Sequence, residues 1–210
     1  MILWDACRLC VITDHEPRPG RSHLDIATQA VRGGATMIQL RDKVSGLRQL
    51  LPQARQISEL CRAHGVCFMI NDRLDLAFAA DADGVHLGQY DLPPRAARAL
   101  LGTEKILGVS THSIEQALSA VEQGADYLGI GPIFATATKA TGYEPVGCDM
   151  IRQLRIRVNL PIVAIGGIRL SNVGEIVRSG ASGVAVISAI VGAEDMTATT
   201  RSFIAAIQQV

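Results

Sequence analysis

The sequence predicts one α/β domain, residues 1–210, folded as a closed (β/α)8 barrel, the TIM barrel. Two observations carry that expectation. Short apolar runs alternate with amphipathic stretches of helical period, giving about eight strand–helix units of ~25 residues each, with no linker and no second composition regime. Apolar runs joined by such helices belong to a parallel sheet covered on both faces. A third observation selects the closed form over the open, doubly wound sheet: no G-x-G-x-x-G follows the first strand.

The elements follow in order. Leu9 to Thr13 is a compact apolar run that stops at Asp14-His15-Glu16-Pro17. Leu24, Ala27, Ala30 and Val31 recur at helical spacing, and Gly33-Gly34 ends the pattern. Met37 to Leu40 is the second strand and empties into Arg41-Asp42-Lys43, before a long helix from about Gly46 to His64 that closes at Gly65. The next strands are Val66 to Ile70, Gly84 to Leu87 and Lys105 to Val109, with helices from Asp72 to Ala80, Pro93 to Leu101 and Ser113 to Gln123. Asp126 to Ile130 leads into a long loop and a helix from about Cys148 to Arg157. Pro161 to Ile165 precedes a helix around Ser171 to Ser179, and Gly183 to Ile187 precedes a final helical region ending near Gln208.

Composition narrows the function. Hydrophobic residues make up 48% and charged residues 19%, with twenty basic side chains against twenty acidic ones, so the basic excess of a nucleic-acid binder is missing. The five cysteines are odd in number, and the Cys7-x-x-Cys10 pair has no second pair at zinc spacing. They read as reduced packing residues of a cytoplasmic protein. No apolar run approaches the ~20 residues of a membrane-spanning helix, and the start of the chain lacks the basic and long apolar segments of an export signal.

The stretch from Asp126 to Gly147 organises the rest. After the apolar Tyr127-Leu128-Gly129-Ile130, Pro132 removes a backbone donor, and the Gly- and Thr-rich run to Gly142 offers no apolar period. Such a loop presents backbone N–H groups, Thr136, Thr138 and the Lys139 ammonium to an anion. Other strand ends carry similar sets: Gln39, Arg41 and Lys43; Asn71 and Asp72; His86, Gln89 and Asp91; Ser110, Thr111 and His112; Gly166 and Gly167; Ile187 and Ser188. In a barrel of this kind the loops at the C-terminal strand ends build the active site, and those after strands 7 and 8 form its usual phosphate site. Glycine at 166 and 167 lets the backbone approach a phosphate, or simply makes a tight turn.

Asp72 and Asp91 each stand at a predicted helix start, where N-capping is a full alternative to ligand binding. On adjacent barrel strands both carboxylates face one pocket with Arg41, Lys43 and Lys139, a set suited to Mg²⁺ bridging to substrate phosphate. Ser113-Ile114-Glu115-Gln116 fits a capping box and is structural, whereas Ser110 stands earlier, at the strand end, free to donate to an anion. His86, between Val85 and Leu87, reads equally as a satisfied barrel histidine or a ligand contact. No HExxH, Cys/His cluster or Ser-His-Asp logic is visible.

Taken together, Gln39-Leu40-Arg41-Asp42-Lys43, Ile70-Asn71-Asp72-Arg73, Gly84-Val85-His86-Leu87-Gly88-Gln89 with Asp91, Gly108-Val109-Ser110-Thr111-His112, Gly131-Pro132-Ile133-Phe134 with Thr136, Thr138 and Lys139, Ala164 to Ile168 and Val186 to Ile190 resemble the thiamine-phosphate synthase family. The match runs in order over nearly the whole chain. Members of that family are (β/α)8 barrels that join hydroxymethylpyrimidine pyrophosphate to a thiazole phosphate and release pyrophosphate. The resemblance implies that Gln39, Arg41, Lys43, Asn71, Ser110 and Lys139 hold the pyrimidine pyrophosphate, with His86 lining the pyrimidine pocket. It implies Mg²⁺ on Asp72 and Asp91, and the thiazole phosphate on Thr136, Thr138, Gly167, Ile187 and Ser188. Lys139, Arg41 and Ser110 are the expected catalytic residues. Ala135 departs from the proline expected there, and Ala140 to Gly147 matches only loosely. A homodimer is expected from the resemblance alone. The rival readings are the related thiazole tautomerase, in which His112 would be the acid–base residue, a phosphosugar isomerase or epimerase, and a phosphate-ligand sensor without turnover.

Overall fold

The computed structural model describes residues 7–14, 20–136 and 142–209; Thr138 and Lys139, two of the expected anion-binding residues, lie outside the described residues. Eight parallel strands close into a barrel in sequence order: β1 (Leu9–Thr13), β2 (Met37–Leu40), β3 (Cys67–Asn71), β4 (Gly84–Leu87), β5 (Ile106–Thr111), β6 (Tyr127–Ile130), β7 (Ile162–Ile165) and β8 (Gly183–Val186). Closure is the pairing of β8 back on β1, with Cys10 opposite Ala185. Helices α1 (His23–Arg32), α2 (Leu47–His64), α3 (Leu74–Ala79), α4 (Pro94–Leu101), α5 (Ile114–Glu122), α6 (Gly147–Arg155) and α7 (Val173–Arg178) each follow the strand of the same number.

Some boundaries differ from the sequence expectation, each for a local reason. The final helical region is two helices, α8 (Ser188–Val191) and α9 (Met196–Gln208). Asp195 starts the second by accepting a hydrogen bond from the Ala198 N–H at 2.8 Å. Helix α3 begins later than expected because Asp72 sits at φ 65°, a left-handed conformation that turns the chain before the helix can start. Strands β3 and β5 run further than expected, so Asn71 and Ser110 belong to strands rather than to the loops after them. A strand holds a side chain at a fixed register, which suits groups that must converge on one ligand.

The strands are almost wholly buried on both faces, as a parallel sheet requires. Two separate cores result. The larger lies between barrel and helices and includes Ile38, Phe68, Ile70, Leu107, Leu128, Ile151 and Phe203. The smaller fills the barrel with Cys7, Cys10, Ile12, Met37, Cys67, Met69, Tyr127, Val163 and Ala185. All five cysteines are free thiols and buried, in line with the packing role expected of them. Tyr127 is the largest side chain inside the barrel and fits because Gly108 faces it from β5. A Cβ at 108 would lie 2.2 Å from the Tyr127 ring.

Candidate active site

At the C-terminal ends of the strands a cavity of about 550 Å³ opens. Its wall includes Gln39, Arg41, Asn71, His86 and Ser110 on one side, and Thr136, Gly167, Ile187 and Ser188 on the other. With His112 and Gly166, eleven of the residues singled out in the sequence meet around one space. Lys43, Asp72 and Asp91 are not on that wall; they form a cluster of their own in the loops after β2, β3 and β4.

In that cluster the Lys43 ammonium donates to the Asp72 carboxylate, and the Asp72 carboxyl also hydrogen-bonds Asp91. The backbone explains the approach. The Asp72 N–H donates to the His86 carbonyl at 2.8 Å, tying the β3 loop to β4, while Asp91 accepts from the Gly88 N–H at 2.7 Å and folds its own loop inward. Capping therefore accounts for neither carboxylate: the N-cap residues of α3 and α4 are Arg73 and Pro93, and neither helix has a side-chain cap. Burial, with Asp91 adding to it and Lys43 opposing, raises the Asp72 carboxyl above its ordinary range. Two carboxylates drawn together against their repulsion are a donor set for a hard cation. Among the described residues no group of three or more His, Cys, Asp or Glu could hold a metal ion. A cation on this pair would complete its shell with water and ligand oxygens, the habit of Mg²⁺.

Arg41 is held from below. Its guanidinium donates to Asp14, whose side chain is 4% exposed, and its backbone N–H reaches the Thr13 hydroxyl at 3.4 Å. Thr13 in turn bonds His23 Nδ1 at 2.8 Å, and His23 Nε2 lies 3.2 Å from Asp42. Asp42 Oδ1 accepts from the N–H groups of Val44 and Ser45, both at 2.8 Å, shaping the loop that carries Lys43. Deeper in the barrel, His86 joins Tyr127 Oη at 2.7 Å through Nδ1 and Ser110 Oγ at 2.8 Å through Nε2. Of the two readings of His86 left open by the sequence, the satisfied barrel histidine is met, and the side chain also lines the cavity.

The opposite wall is built by contact between two loops. Ile133 and Phe134 donate backbone N–H groups to the carbonyls of Ile165 and Gly166 at 2.9 and 3.1 Å, laying the loop after β6 across the one after β7. Gly166 and Gly167 have φ of 98° and 65°, and a Cβ on either would lie within 2.8 Å of Pro132 or Phe134. The glycine pair is thus required by this crossing, whatever else it binds. Beyond it, α8 begins at Ser188 directly after β8. His112 Nδ1 meets the Gly131 carbonyl, and the Tyr143 ring stacks on the imidazole at 3.7 Å between centroids. Ser113 caps α5 as expected by accepting from the Gln116 N–H, but Gln116 Oε1 accepts from the His112 N–H at 2.7 Å.

Sequence reasoning missed Asp14, Tyr127, and Arg169 on the cavity wall. Asp14 had a signal, since it directly follows the first strand and so stands where functional residues gather. Tyr127 had a weaker one: an aromatic whose partner on the next strand is glycine, visible only once the register is known.

Comparison with known proteins agrees with the barrel fold. A family model described as thiamine monophosphate synthase matches residues 9–190. The chain is 50% identical over 194 residues to a thiamine-phosphate synthase of Chloroflexus aurantiacus, covering 92% of this chain and 89% of that protein. It is 49% identical over 197 residues to one of Methanospirillum hungatei, covering 94% and 96%. Among solved structures, thiamine phosphate pyrophosphorylase from Pyrococcus furiosus superposes with a TM-score of 0.91 at 36% identity, covering 99% of this chain and 98% of that one. With the family model spanning the barrel from β1 into α8, the chain belongs to the thiamine monophosphate synthase family.

Proposed function

We propose that the protein is a thiamine-phosphate synthase, a transferase that joins 4-amino-2-methyl-5-hydroxymethylpyrimidine pyrophosphate to 4-methyl-5-(2-hydroxyethyl)thiazole phosphate and releases pyrophosphate. The observation that carries the reading is the division of one barrel mouth into two anion-seeking walls, Arg41, Asn71 and Ser110 facing Thr136, Gly167 and Ser188, with the Lys43–Asp72–Asp91 cluster beside them. Two phosphorylated substrates need two such walls. A tautomerase or isomerase acting on one phosphorylated substrate has no use for a paired carboxylate next to a second anion site.

In this reading Gln39, Arg41, Lys43, Asn71, Ser110 and Lys139 bind the pyrimidine pyrophosphate, and His86 lines its ring pocket. Thr136, Thr138, Gly167, Ile187 and Ser188 bind the thiazole phosphate. The bond between the pyrimidine methylene carbon and the pyrophosphate oxygen breaks, its electron pair leaving with pyrophosphate, while the ring amino group stabilises the cation left behind. The thiazole nitrogen then donates its lone pair to that carbon. Arg41, Lys139 and the Ser110 hydroxyl stabilise charge that is larger on the leaving group than on the bound substrate, so their effect falls on the transition state. Asp72 and Asp91 would hold Mg²⁺, which when bound neutralises pyrophosphate charge. The free, buried thiols support a reducing, cytoplasmic setting, and among the described residues no helix is long and apolar enough to cross a membrane. The homodimer that the resemblance suggests is checked by sedimentation.

One assay tests the reading. Purified protein mixed with both precursors and Mg²⁺ is expected to yield thiamine phosphate and pyrophosphate in equal amounts. Formation of neither product would sink it. Lys139→Ala and Asp72→Ala are expected to lose turnover far more than affinity for the thiazole phosphate.

A further inference from the structure

We propose that Tyr127 is a positioning residue for the condensation: acting through the His86 imidazole, it fixes the Ser110 hydroxyl as a hydrogen-bond donor to the anionic leaving group. The inference rests on the synthase reading and deepens it. Tyr127 is 1% exposed, lines the inner end of the cavity from the barrel interior, and is packed over Gly108. Its phenol hydrogen-bonds the Gln39 side chain and lies 2.7 Å from His86 Nδ1; His86 Nε2 lies 2.8 Å from Ser110 Oγ. Four side chains from β2, β6, β4 and β5, all on the cavity wall, therefore form one continuous wire.

A neutral imidazole has one N–H and one lone pair, so the wire has a direction. In the outward sense, Gln39 donates its amide N–H to the phenol oxygen, the Tyr127 O–H donates to Nδ1, and Nε2–H donates to Ser110 Oγ. The Ser110 proton is then left to point into the cavity. In the inward sense, Ser110 donates to Nε2, and only oxygen lone pairs face the cavity. A pyrophosphate oxygen accepts and cannot donate, so the outward sense is the productive one. Tyr127 passes that sense on: with its oxygen accepting from the Gln39 amide, its own O–H is left to donate to Nδ1. The remaining backbone contact supports the same geometry: Gln89 Nε2 donates to the Ser110 carbonyl at 2.6 Å, fixing the end of β5 without using the hydroxyl.

The wire makes two demands that simple packing does not. The first is a tautomer. With histidines labelled with ¹⁵N, and inorganic pyrophosphate with Mg²⁺ as the probe, His86 of the intact protein is expected as the Nε2–H tautomer; the Nδ1–H tautomer would overturn the proposal. The second is coupling. Tyr127→Phe removes one hydroxyl and is expected to lower kcat by about 10-fold, a fraction of what losing an oxyanion donor outright costs, with the KM for thiazole phosphate changed less than ~2-fold. In a Ser110→Ala background the same change is expected to cost less than ~2-fold, because the hydroxyl it orients is gone. An equal loss in both backgrounds would show that Tyr127 acts by another route. If the unmutated protein forms no thiamine phosphate, the synthase reading fails, and the tautomer measurement still decides the wire.

Discussion

The Arg41 guanidinium donates to the Asp14 carboxylate beneath the barrel mouth, and the two side chains are 14% and 4% exposed. Arg41 in our reading grips pyrophosphate, and a long side chain does so efficiently only if its orientation is set before the ligand arrives. Asp14 supplies that orientation from the end of β1. Asp14→Asn keeps the shape but weakens the bond to an ordinary amide acceptor. It is expected to raise the KM for the pyrimidine pyrophosphate about 10-fold and to lower stability by about 1–3 kcal/mol, the range for a weakened buried polar contact. Steady-state kinetics at saturating thiazole phosphate and a urea titration check the two halves separately.

Asp14 also shows where reading the sequence stops. Apolar runs and glycine stops placed all eight strands, because a parallel strand buried on both faces leaves a continuous apolar trace. Gln39, Arg41, Asn71, His86 and Ser110 were legible as residues of the cavity wall since each lies at or near the C-terminal end of such a run. What was not legible is anything set by pairing between distant segments. The Asp14 partner is 27 residues away and the His86–Tyr127 contact spans 41, so neither leaves a local pattern. Asp72 and Asp91 looked equally like helix caps, and only the positive φ at 72 and the Gly88–Asp91 turn separate the readings.

The Asp72–Asp91 contact carries a stability cost that metal should relieve. A carboxyl whose folded value is raised contributes favourably below its ordinary value, and that contribution is lost as pH rises through the raised one. At neutral pH and without metal, then, the Asp72 carboxylate opposes folding. Asp91→Asn keeps an oxygen to accept from Gly88 but removes one charge. In EDTA it is expected to melt about 2 °C higher than the unmutated protein, the size of shift a fraction of a kcal/mol produces at this chain length. With Mg²⁺ the order reverses, because only the unmutated protein gains from binding. Turnover of the variant is expected to fall by at least ~100-fold, and that of the unmutated protein is expected to fall likewise in EDTA. Scanning calorimetry with and without Mg²⁺ checks the reversal.

Gly108 tests the barrel interior. A methyl group there would lie 2.2 to 2.4 Å from the Cζ, Cε1 and Oη of Tyr127, and the ring is enclosed on all sides. Gly108→Ala is expected to cost about 2–3 kcal/mol, since a packed core yields to an added carbon only by shifting backbone or leaving a rotamer. Urea denaturation measures it. Shrinking the ring, as in Gly108→Ala with Tyr127→Leu, should recover part of the loss by making room; no recovery would mean that Tyr127 is not what occupies that space.

Asp42 gives the protein an acid limb whose sign is fixed by its contacts. Burial works to raise its carboxyl, but hydrogen bonds from Ser45, Val44 and His23 outweigh that and hold it below its ordinary 3.8. A depressed carboxyl contributes stability that is fully present above the ordinary value and is lost as pH falls toward the depressed one. Unfolding free energy is therefore expected to drop as pH is lowered from 4 toward 2. Asp42→Asn removes the titrating group and with it part of that drop, while lowering stability at pH 7 because an amide oxygen accepts less strongly than a carboxylate. The variant and the unmutated protein should thus differ most at neutral pH and converge in acid. Urea midpoints from pH 2 to pH 7 measure this convergence, and parallel curves would mean that the Asp42 loop contacts do not depend on its charge. The same loop carries Lys43, so the variant should also raise the KM for the pyrimidine pyrophosphate while leaving that for the thiazole phosphate unchanged.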